Sequence, residues 1–193
     1  MFKRKQEFRP DKTGAGWLSK LYITKRQRQS ILRWVLYALA LVVLSLLQDV
    51  IFCRLRIYGA STNLVCTGMF LICILLPTDH CAVFAVIGAV FYYFSGSAAG
   101  PYSILYITAI GIFLNIFRSS YLRKSFLSTW LCAGVGMLIY ELLVFLTGVF
   151  LELTHLSRLP AFLITAGLGV VAMPILYPVF RWIGNIGGEA WKD

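Results

Sequence analysis

Residues 31–52 read ILRWVLYALALVVLSLLQDVIF, and this run decides the class of the fold. A transmembrane helix needs about 20 consecutive, mostly apolar residues, and only Arg33 and Asp49 carry a charge in this run. The run also begins too far along the chain, and is too long, for a cleavable signal peptide. It therefore predicts a first membrane-spanning helix that stays in the bilayer.

Five further apolar blocks follow the first one. They occupy residues 62–76, 81–94, 101–117, 126–150 and 160–183. Pro77 ends the second block, and a segment rich in Ser and Gly at 95–100 ends the third. Pro101 and Pro160 begin the fourth and the sixth, and proline suits the first turn of a helix because no N–H is needed there. The sequence predicts an all-α membrane protein, a bundle of six transmembrane helices.

The composition agrees with this class. Of the 193 residues, 59% are apolar and 13% are charged, and the mean hydropathy is +0.78. A soluble domain is about a quarter charged and about half apolar. A chain this short cannot bury so much apolar surface in one core, whereas in a hydrocarbon solvent it does not need to.

The positive charges indicate how the chain is oriented. Ten of the eighteen Lys and Arg residues lie in the first 33 positions. With a cytoplasmic N-terminus and six spans, fifteen fall on the cytoplasmic side, and only Arg54, Arg56 and Arg158 fall outside. Positive charge accumulates on the cytoplasmic side of membrane proteins. We therefore expect six spans with both termini in the cytoplasm. If the second and third blocks formed a single span, Arg118, Arg123 and Lys124 would fall outside and the bias would be weaker.

This pattern divides the chain into a basic cytoplasmic arm at 1–30, a six-span domain at 31–183 and a short cytoplasmic tail at 184–193. Apolar residues at 17–23 favour either a short interfacial helix or an arm with incidental hydrophobes. A basic arm can bind nucleic acid or anionic lipid, and its place directly before a span favours lipid and a topology signal over nucleic acid. The expected contacts with lipid or a cytoplasmic partner are Lys20, Lys25, Arg26, Arg28 and Arg33.

Polar residues within the spans are candidates for a function, because charge in lipid is costly. Glu141 lies near the middle of the fifth span. It can pair with a polar group of another helix, be present in its neutral form, or couple to a proton or a cation. Gln48 and Asp49 end the first span near the outer interface, where they either contact a partner or cap the helix in water.

Small residues cluster in the last two spans and predict close helix–helix contacts, because they let backbones approach in lipid. They are Ala133, Gly134, Gly136, Ala166, Gly167, Gly169 and Ala172. Pro174 and Pro178 predict a kink in the cytoplasmic half of the sixth span. Gly96 and Gly100 have G-x-x-x-G spacing, but their place in a loop before a proline favours a tight turn.

Motifs of catalysis and metal binding are missing from the sequence. It has no Walker loop, no H-E-x-x-H and no G-x-S-x-G. Its five cysteines form no C-x-x-C pair. His80 and His155 fall on opposite sides of the membrane in the six-span topology. We expect no enzymatic activity, no cofactor and no metal site.

Three segments together resemble a bacterial family. They are LQDVIF at 47–52, IYGASTNL at 57–64, and a longer run at 88–106 that contains Ser95, Gly96 and Gly100. The pattern resembles the rod-shape-determining MreD family, which has a Leu-Gln pair near the end of span one, Gly-Ala-Ser/Pro-Asp-Leu before span two, and Ser-Gly-x-x-x-Gly between spans three and four. The chain departs from the family where Tyr92 replaces an acid and Thr62-Asn63 replaces Pro-Asp.

The resemblance implies a non-enzymatic membrane scaffold of the cell-elongation machinery, which directs side-wall peptidoglycan synthesis at the bacterial cytoplasmic membrane. It implies MreC, MreB, RodA and a class B penicillin-binding protein as partners. The residues that we expect to make partner or structural contacts are Gln48, Asp49, Asn63, Ser95, Gly96, Gly100 and Glu141.

The alternative is a substrate-binding S component of an energy-coupling-factor vitamin transporter, or another small transporter. S components are six-span proteins of about this size, and the MreD family is similar to them in fold. A vitamin site draws on polar and aromatic residues at the outer ends of spans. The candidates are Asp49, Asn63, Tyr92, Tyr93, Tyr102, Tyr106 and Glu152. The first span lacks the A-x-x-x-A pair with which S components dock on their energising partner, since Ala38 and Ala40 are two apart.

Overall fold

The computed structural model describes residues 25–54, 59–121 and 125–186, and this part of the chain is built of helices joined by short connections. The long helices are α1 (Lys25–Val50), α2 (Leu64–Leu75), α3 (Thr78–Phe94), α4 (Tyr102–Tyr121), α5 (Phe126–Phe150) and α6 (Leu159–Gly184). Short 3₁₀ turns at Phe52–Arg54 and Leu156–Arg158 precede α2 and α6. The prediction of an all-α fold is confirmed for these residues.

The helices lie where the apolar blocks predict them. α5 has the predicted bounds, with Ser125 as its N-cap. α1 begins at Lys25, ahead of the predicted start at residue 31, so its first turns come from the basic arm. α6 runs on through Pro174 and Pro178 to Gly184, and the kink expected there stays a prediction. Lys20, the expected interfacial helix at 17–23 and most of the tail at 184–193 lie outside the described residues.

By length and composition, four helices of the described part can cross a membrane, and these are α1, α4, α5 and α6. The helices α2 and α3 are apolar but have only 12 and 17 residues. A helix of 12 residues is about 18 Å long at 1.5 Å per residue, whereas the hydrocarbon core of a bilayer is about 30 Å thick. α2 alone is therefore too short to cross it.

The short helix α2 lies at the centre of the bundle. It packs against each of the other five long helices, and all 12 of its residues are buried. Its sequence, LVCTGMFLICIL, is apolar on every side, which is the pattern of a helix that is buried on all faces. The surrounding helices expose apolar residues on their outer faces, for example Leu39, Ile87, Leu105, Leu146 and Ile175. Such an outer surface suits hydrocarbon.

The small residues of α5 and α6 lie at helix contacts, as predicted. A Cβ atom on Gly136 would meet the Leu114 side chain of α4. A Cβ atom on Gly169 would lie 2.7 Å from Oγ1 of Thr67, which belongs to α2. Gly167 is the exception, because it is exposed and a Cβ there would have nothing within 4 Å.

Candidate functional site

A cavity of about 890 Å³ lies at the N-terminal end of α2. Its walls come from the end of α1, the segment before α2, the end of α3, the middle of α5 and the start of α6. Polar and apolar side chains share this lining, and the polar ones include Gln48, Asn63, Tyr92, Glu141 and Arg158. A pocket of this size and mixed character is typical of sites for small molecules.

Asn63 joins three helices at the edge of this cavity. Its Oδ1 accepts a hydrogen bond from the backbone N–H of Cys66 at 3.3 Å, which makes Asn63 the N-cap of α2. Its Nδ2 donates to the Tyr92 hydroxyl of α3 at 2.9 Å and to Oε1 of Glu141 in α5 at 3.3 Å. An N-cap side chain satisfies an N–H group that the start of a helix leaves unpaired.

Glu141 is deeply placed, with 5% of its surface exposed. Its hydrogen bond from Asn63 is the pairing with a polar group of another helix, the first of the three roles considered for it. The contact also shows how deep the cavity reaches into the bundle. Glu141 lies level with the start of α2, because it contacts the N-cap Asn63. From Glu141, α5 continues for about two and a half more turns, to Phe150.

The end of α1 contributes Gln48 and Asp49. The Gln48 Oε1 accepts a hydrogen bond from the backbone N–H of Val65 at 3.1 Å, so Gln48 caps a second N–H group of α2. Asp49 accepts from the Ser45 hydroxyl of its own helix at 3.5 Å and from the Ser97 hydroxyl of the α3–α4 connection at 3.4 Å. Both residues therefore connect α1 to neighbouring parts of the bundle.

The connection between α3 and α4 is a tight turn, as its glycines predict. Gly96 has a φ of +75°, in the left-handed region that glycine adopts without steric cost. The Ser95 hydroxyl donates to the backbone oxygen of Tyr92 at 2.8 Å and so closes the end of α3. A Cβ atom on Gly100 would lie 2.5 Å from the ring of Tyr102. Both glycines thus serve the turn.

Of the residues named for a vitamin site, Asn63 and Tyr92 line the cavity, and Asp49 borders it through Ser97. The described lining does not include Tyr93, Tyr102, Tyr106 or Glu152. It does include Tyr140, Arg158 and Thr165, which the sequence analysis did not single out as site residues. Arg158 entered only as a charge of the outer side, because a lone basic residue in a connection carries no sequence signal of a site.

The basic residues expected to contact lipid or a cytoplasmic partner have different surroundings. Lys25 and Arg26 begin α1, and Arg28 is exposed on its second turn. Arg33 is only 8% exposed. The protein covers most of the Arg33 side chain, so little of it remains for a lipid headgroup.

The C-terminal end of α2, at the opposite end of the helix, carries polar caps that the sequence analysis did not identify. Nδ2 of Asn115 donates to the backbone oxygens of Cys73 at 2.6 Å and Leu76 at 2.8 Å. Nη1 of Arg118 donates to the backbone oxygen of Ile74 at 3.2 Å. The last carbonyls of a helix have no partner within it, and hydrocarbon offers none. Polar side chains of neighbouring helices therefore cap α2 at both ends.

Among the residues that the structure describes, no three His, Cys, Asp or Glu side chains come together as a metal-ligand set. Cys66, Cys73, Cys81 and Cys132 are buried free thiols. No family model, no curated protein and no solved structure matches this chain.

Proposed function

We propose that this chain is a non-enzymatic integral membrane scaffold of the bacterial cell-elongation machinery, in the role that its resemblance to the MreD family implies. MreC, MreB, RodA and a class B penicillin-binding protein are its partners in this proposal. One observation carries it: described residues from all three segments that carry the resemblance, which are separate in sequence, meet at the N-terminal end of α2.

Hydrogen bonds connect these segments. Gln48, from the first segment, caps Val65 directly after the second segment. Asn63, from the second, donates to Tyr92 of the third, and the backbone oxygen of Tyr92 accepts from Ser95. Short motifs that belong to one connected structure support a family resemblance more strongly than the same motifs scattered over a surface.

The two positions at which the chain departs from the family pattern also contact each other. Asn63 stands where the family has Asp, and Tyr92 stands where it often has an acid. Their side chains are joined by a hydrogen bond of 2.9 Å. A paired replacement of this kind keeps a polar contact between α2 and α3. It therefore supports the interpretation of this chain as a divergent member of the family.

The proposed topology has six helices in the cytoplasmic membrane and both termini in the cytoplasm. Arg28 lies near the start of α1, and Arg118 and Arg181 lie near the ends of α4 and α6. Arg54 and Arg158 lie at the cavity end of the bundle. The positive-inside rule then favours a cavity that opens on the outer side of the membrane.

The helix α6 offers a surface on which the single transmembrane helix of a bitopic partner such as MreC can pack. Leu163, Gly167, Val171 and Ile175 follow one another at four-residue intervals and are all exposed. Residues at this spacing share one face of a helix. Gly167 removes the side chain from the middle of that face, and a small residue lets a second helix approach closely in lipid.

The test is purification of the tagged chain from its native membrane in a mild detergent, followed by mass spectrometry of the proteins that co-purify. We expect MreC, RodA or the penicillin-binding protein. Gly167→Leu should remove the bitopic partner and leave the chain folded. Ala109→Leu, a similar enlargement at an exposed position of α4, is the control and should retain all partners. Recovery of none of these proteins with the wild-type chain would contradict the proposal.

The cavity favours a second candidate, an S component of a vitamin transporter. Its volume and mixed lining are what a protein that captures a small solute requires. The same purification distinguishes the two candidates, because an S component should instead recover a transmembrane coupling protein together with its ATPases.

A further inference from the structure

The cavity at the N-terminal end of α2 has two charged residues, one in its depth and one at its mouth. Glu141 of α5 is 5% exposed and forms part of the floor. Arg158 lies immediately before α6 and is exposed. No other Asp, Glu, Lys or Arg belongs to the lining that the structure describes. A ligand in this cavity can therefore meet both a buried acid and an exposed base.

Glu141 retains capacity for a further hydrogen-bond donor. Within the described part of the chain, Asn63 is the side chain that donates to its carboxyl group. An ionised carboxylate has about four lone-pair sites. Asn63 is itself fully engaged, because it also binds Tyr92 and the N–H of Cys66. A buried acid with one neutral donor is costly, and a cationic ligand group beside it would lower that cost.

Two helices, α2 and α6, begin beside the cavity, and the start of a helix favours negative charge. At the floor, the N–H groups of Val65 and Cys66 are already bound by the side chains of Gln48 and Asn63, so they are not available to an anion. At the mouth, α6 begins at Leu159, directly after Arg158. The Leu159 N–H is bound to the Leu156 oxygen and Pro160 has no N–H, so the start of α6 favours an anion through the positive end of its helix dipole. The mouth therefore suits an anionic group, and at the floor the Glu141 carboxyl group is what suits a cationic one.

We propose that this cavity binds a small zwitterion, an amino acid or a short peptide, whose ammonium group pairs with Glu141 and whose carboxylate pairs with Arg158. Apolar residues, among them Val144, Phe162 and Ile164, belong to the same lining and would contact the ligand's side chain. The inference goes beyond the scaffold role and does not rest on it, because it concerns the purified chain alone.

The first experiment uses the wild-type full chain in detergent and follows its thermal unfolding by tryptophan fluorescence. The probes are L-leucine, L-glutamine and glycyl-L-leucine, each at up to about 10 mM, and a ligand raises the unfolding temperature as its concentration exceeds its Kd. Each probe is paired with its N-acetyl derivative, which lacks the positive charge, and its carboxamide, which lacks the negative charge. We expect at least one zwitterion to raise the unfolding temperature and both of its derivatives to lose most of the effect.

The second experiment assigns each charge to a residue. In Glu141→Gln the best zwitterion should bind roughly thirtyfold more weakly or worse, as for other buried charge pairs that lose one partner. In Arg158→Gln it should bind about two- to fivefold more weakly, because an exposed pair is worth less, and the carboxamide should bind as it does to wild type. Glu152→Gln makes the same chemical change at an exposed acid after α5, outside the described lining, and should bind like wild type.

Two results would overturn the proposal. One is that no zwitterion stabilises the wild-type chain; the other is that the N-acetyl derivative binds as well as the parent compound. If Glu141→Gln fails to fold, the N-acetyl and carboxamide derivatives still test both charges on the wild-type chain. Arg158→Gln then tests the residue at the mouth. Because no partner is present in these measurements, their failure leaves the scaffold proposal standing, and failure to recover partners leaves this one standing.

Discussion

At the C-terminal end of α2, Asn115 and Arg118 donate hydrogen bonds to three backbone oxygens, and both side chains are almost fully buried. At its N-terminal end, Gln48 and Asn63 accept hydrogen bonds from two N–H groups, but they border a cavity of about 890 Å³. Both ends of the helix are thus capped by polar side chains. The buried caps at the C-terminal end show that capping does not itself require an open space, so the cavity at the other end is consistent with a second role, the ligand site proposed above.

The difference between the two ends also affects their energetics. At the C-terminal end, Asn115 and Arg118 are 2% and 9% exposed, so water has little access and a deleted side chain leaves buried carbonyls without partners. A buried polar group without a partner costs about 1–3 kcal/mol. At the cavity end, water can enter and bind the groups that a deletion exposes. Substitutions at the C-terminal end should therefore destabilise the fold more than substitutions of similar size at the cavity end.

The largest effect is expected for Asn115→Leu. This change removes both hydrogen bonds from Asn115 and leaves the backbone oxygens of Cys73 and Leu76 without that donor. The free energy of unfolding should fall by about 2–4 kcal/mol, as measured by reversible unfolding in mixed micelles. Ser119→Ala is the control on the same helix, because Ser119 is exposed and, among the described residues, its hydroxyl binds the nearby Ile116 oxygen. A stability of Asn115→Leu equal to that of the control would contradict the structural role of this cap.

A smaller effect is expected between the two ends, where α6 crosses α2. In Gly169→Val the new Cβ would lie 2.7 Å from Oγ1 of Thr67, and overpacking of this kind costs about 1–3 kcal/mol. Gly167→Val places the same side chain two residues away, where nothing lies within 4 Å. The same unfolding measurement should show a clear loss for the first variant and about 0.5 kcal/mol or less for the second. Equal losses would mean that α2 and α6 do not pack as described.

Asn63→Ala tests the cap at the cavity end. It removes the acceptor for the Cys66 N–H and the donor to Glu141. We expect a loss of about 1 kcal/mol, the usual value for an N-cap, because water in the cavity can bind the groups left behind. Ser61→Ala, an exposed position of the same cavity wall, is the control. A loss larger than that of Asn115→Leu would reverse the comparison between the two ends.

The fold could be predicted from the sequence to the level of its helices. The apolar blocks place every long helix of the described chain, because each block is longer than a typical strand, and prolines or a Ser- and Gly-rich segment bound several of them. The sequence does not predict that α2 lies at the centre of the bundle, although it predicts where the helix lies along the chain. An apolar block of this length is typical both of a short span and of a buried helix, and only contacts with the other helices distinguish the two.

The candidate site could be predicted in its parts and not as a whole. Gln48, Asn63 and Glu141 stand out individually, because polar residues in apolar surroundings are conspicuous. Their meeting at one end of α2 depends on how the helices pack, which the spacing of residues along the chain does not reveal. Asn115 and Arg118 were missed as caps for a similar reason. Asn115 is a single amide in an apolar block, and Arg118 has the position of an ordinary cytoplasmic charge.

The smallest effect on stability is expected for Glu141→Gln. The glutamine amide oxygen can still accept the hydrogen bond from Asn63, so the free energy of unfolding should change by about 0.5 kcal/mol or less. Glu141→Leu, of similar size, removes the acceptor and should cost about 1–2 kcal/mol. If Gln is as damaging as Leu in the unfolding measurement, the negative charge of Glu141 serves the fold itself. If Gln is neutral and only Leu is damaging, the fold needs an oxygen at this position but no charge. The carboxyl group is then free to serve a ligand, and the pairing with a cationic group proposed above is a role that its place in the cavity lining allows.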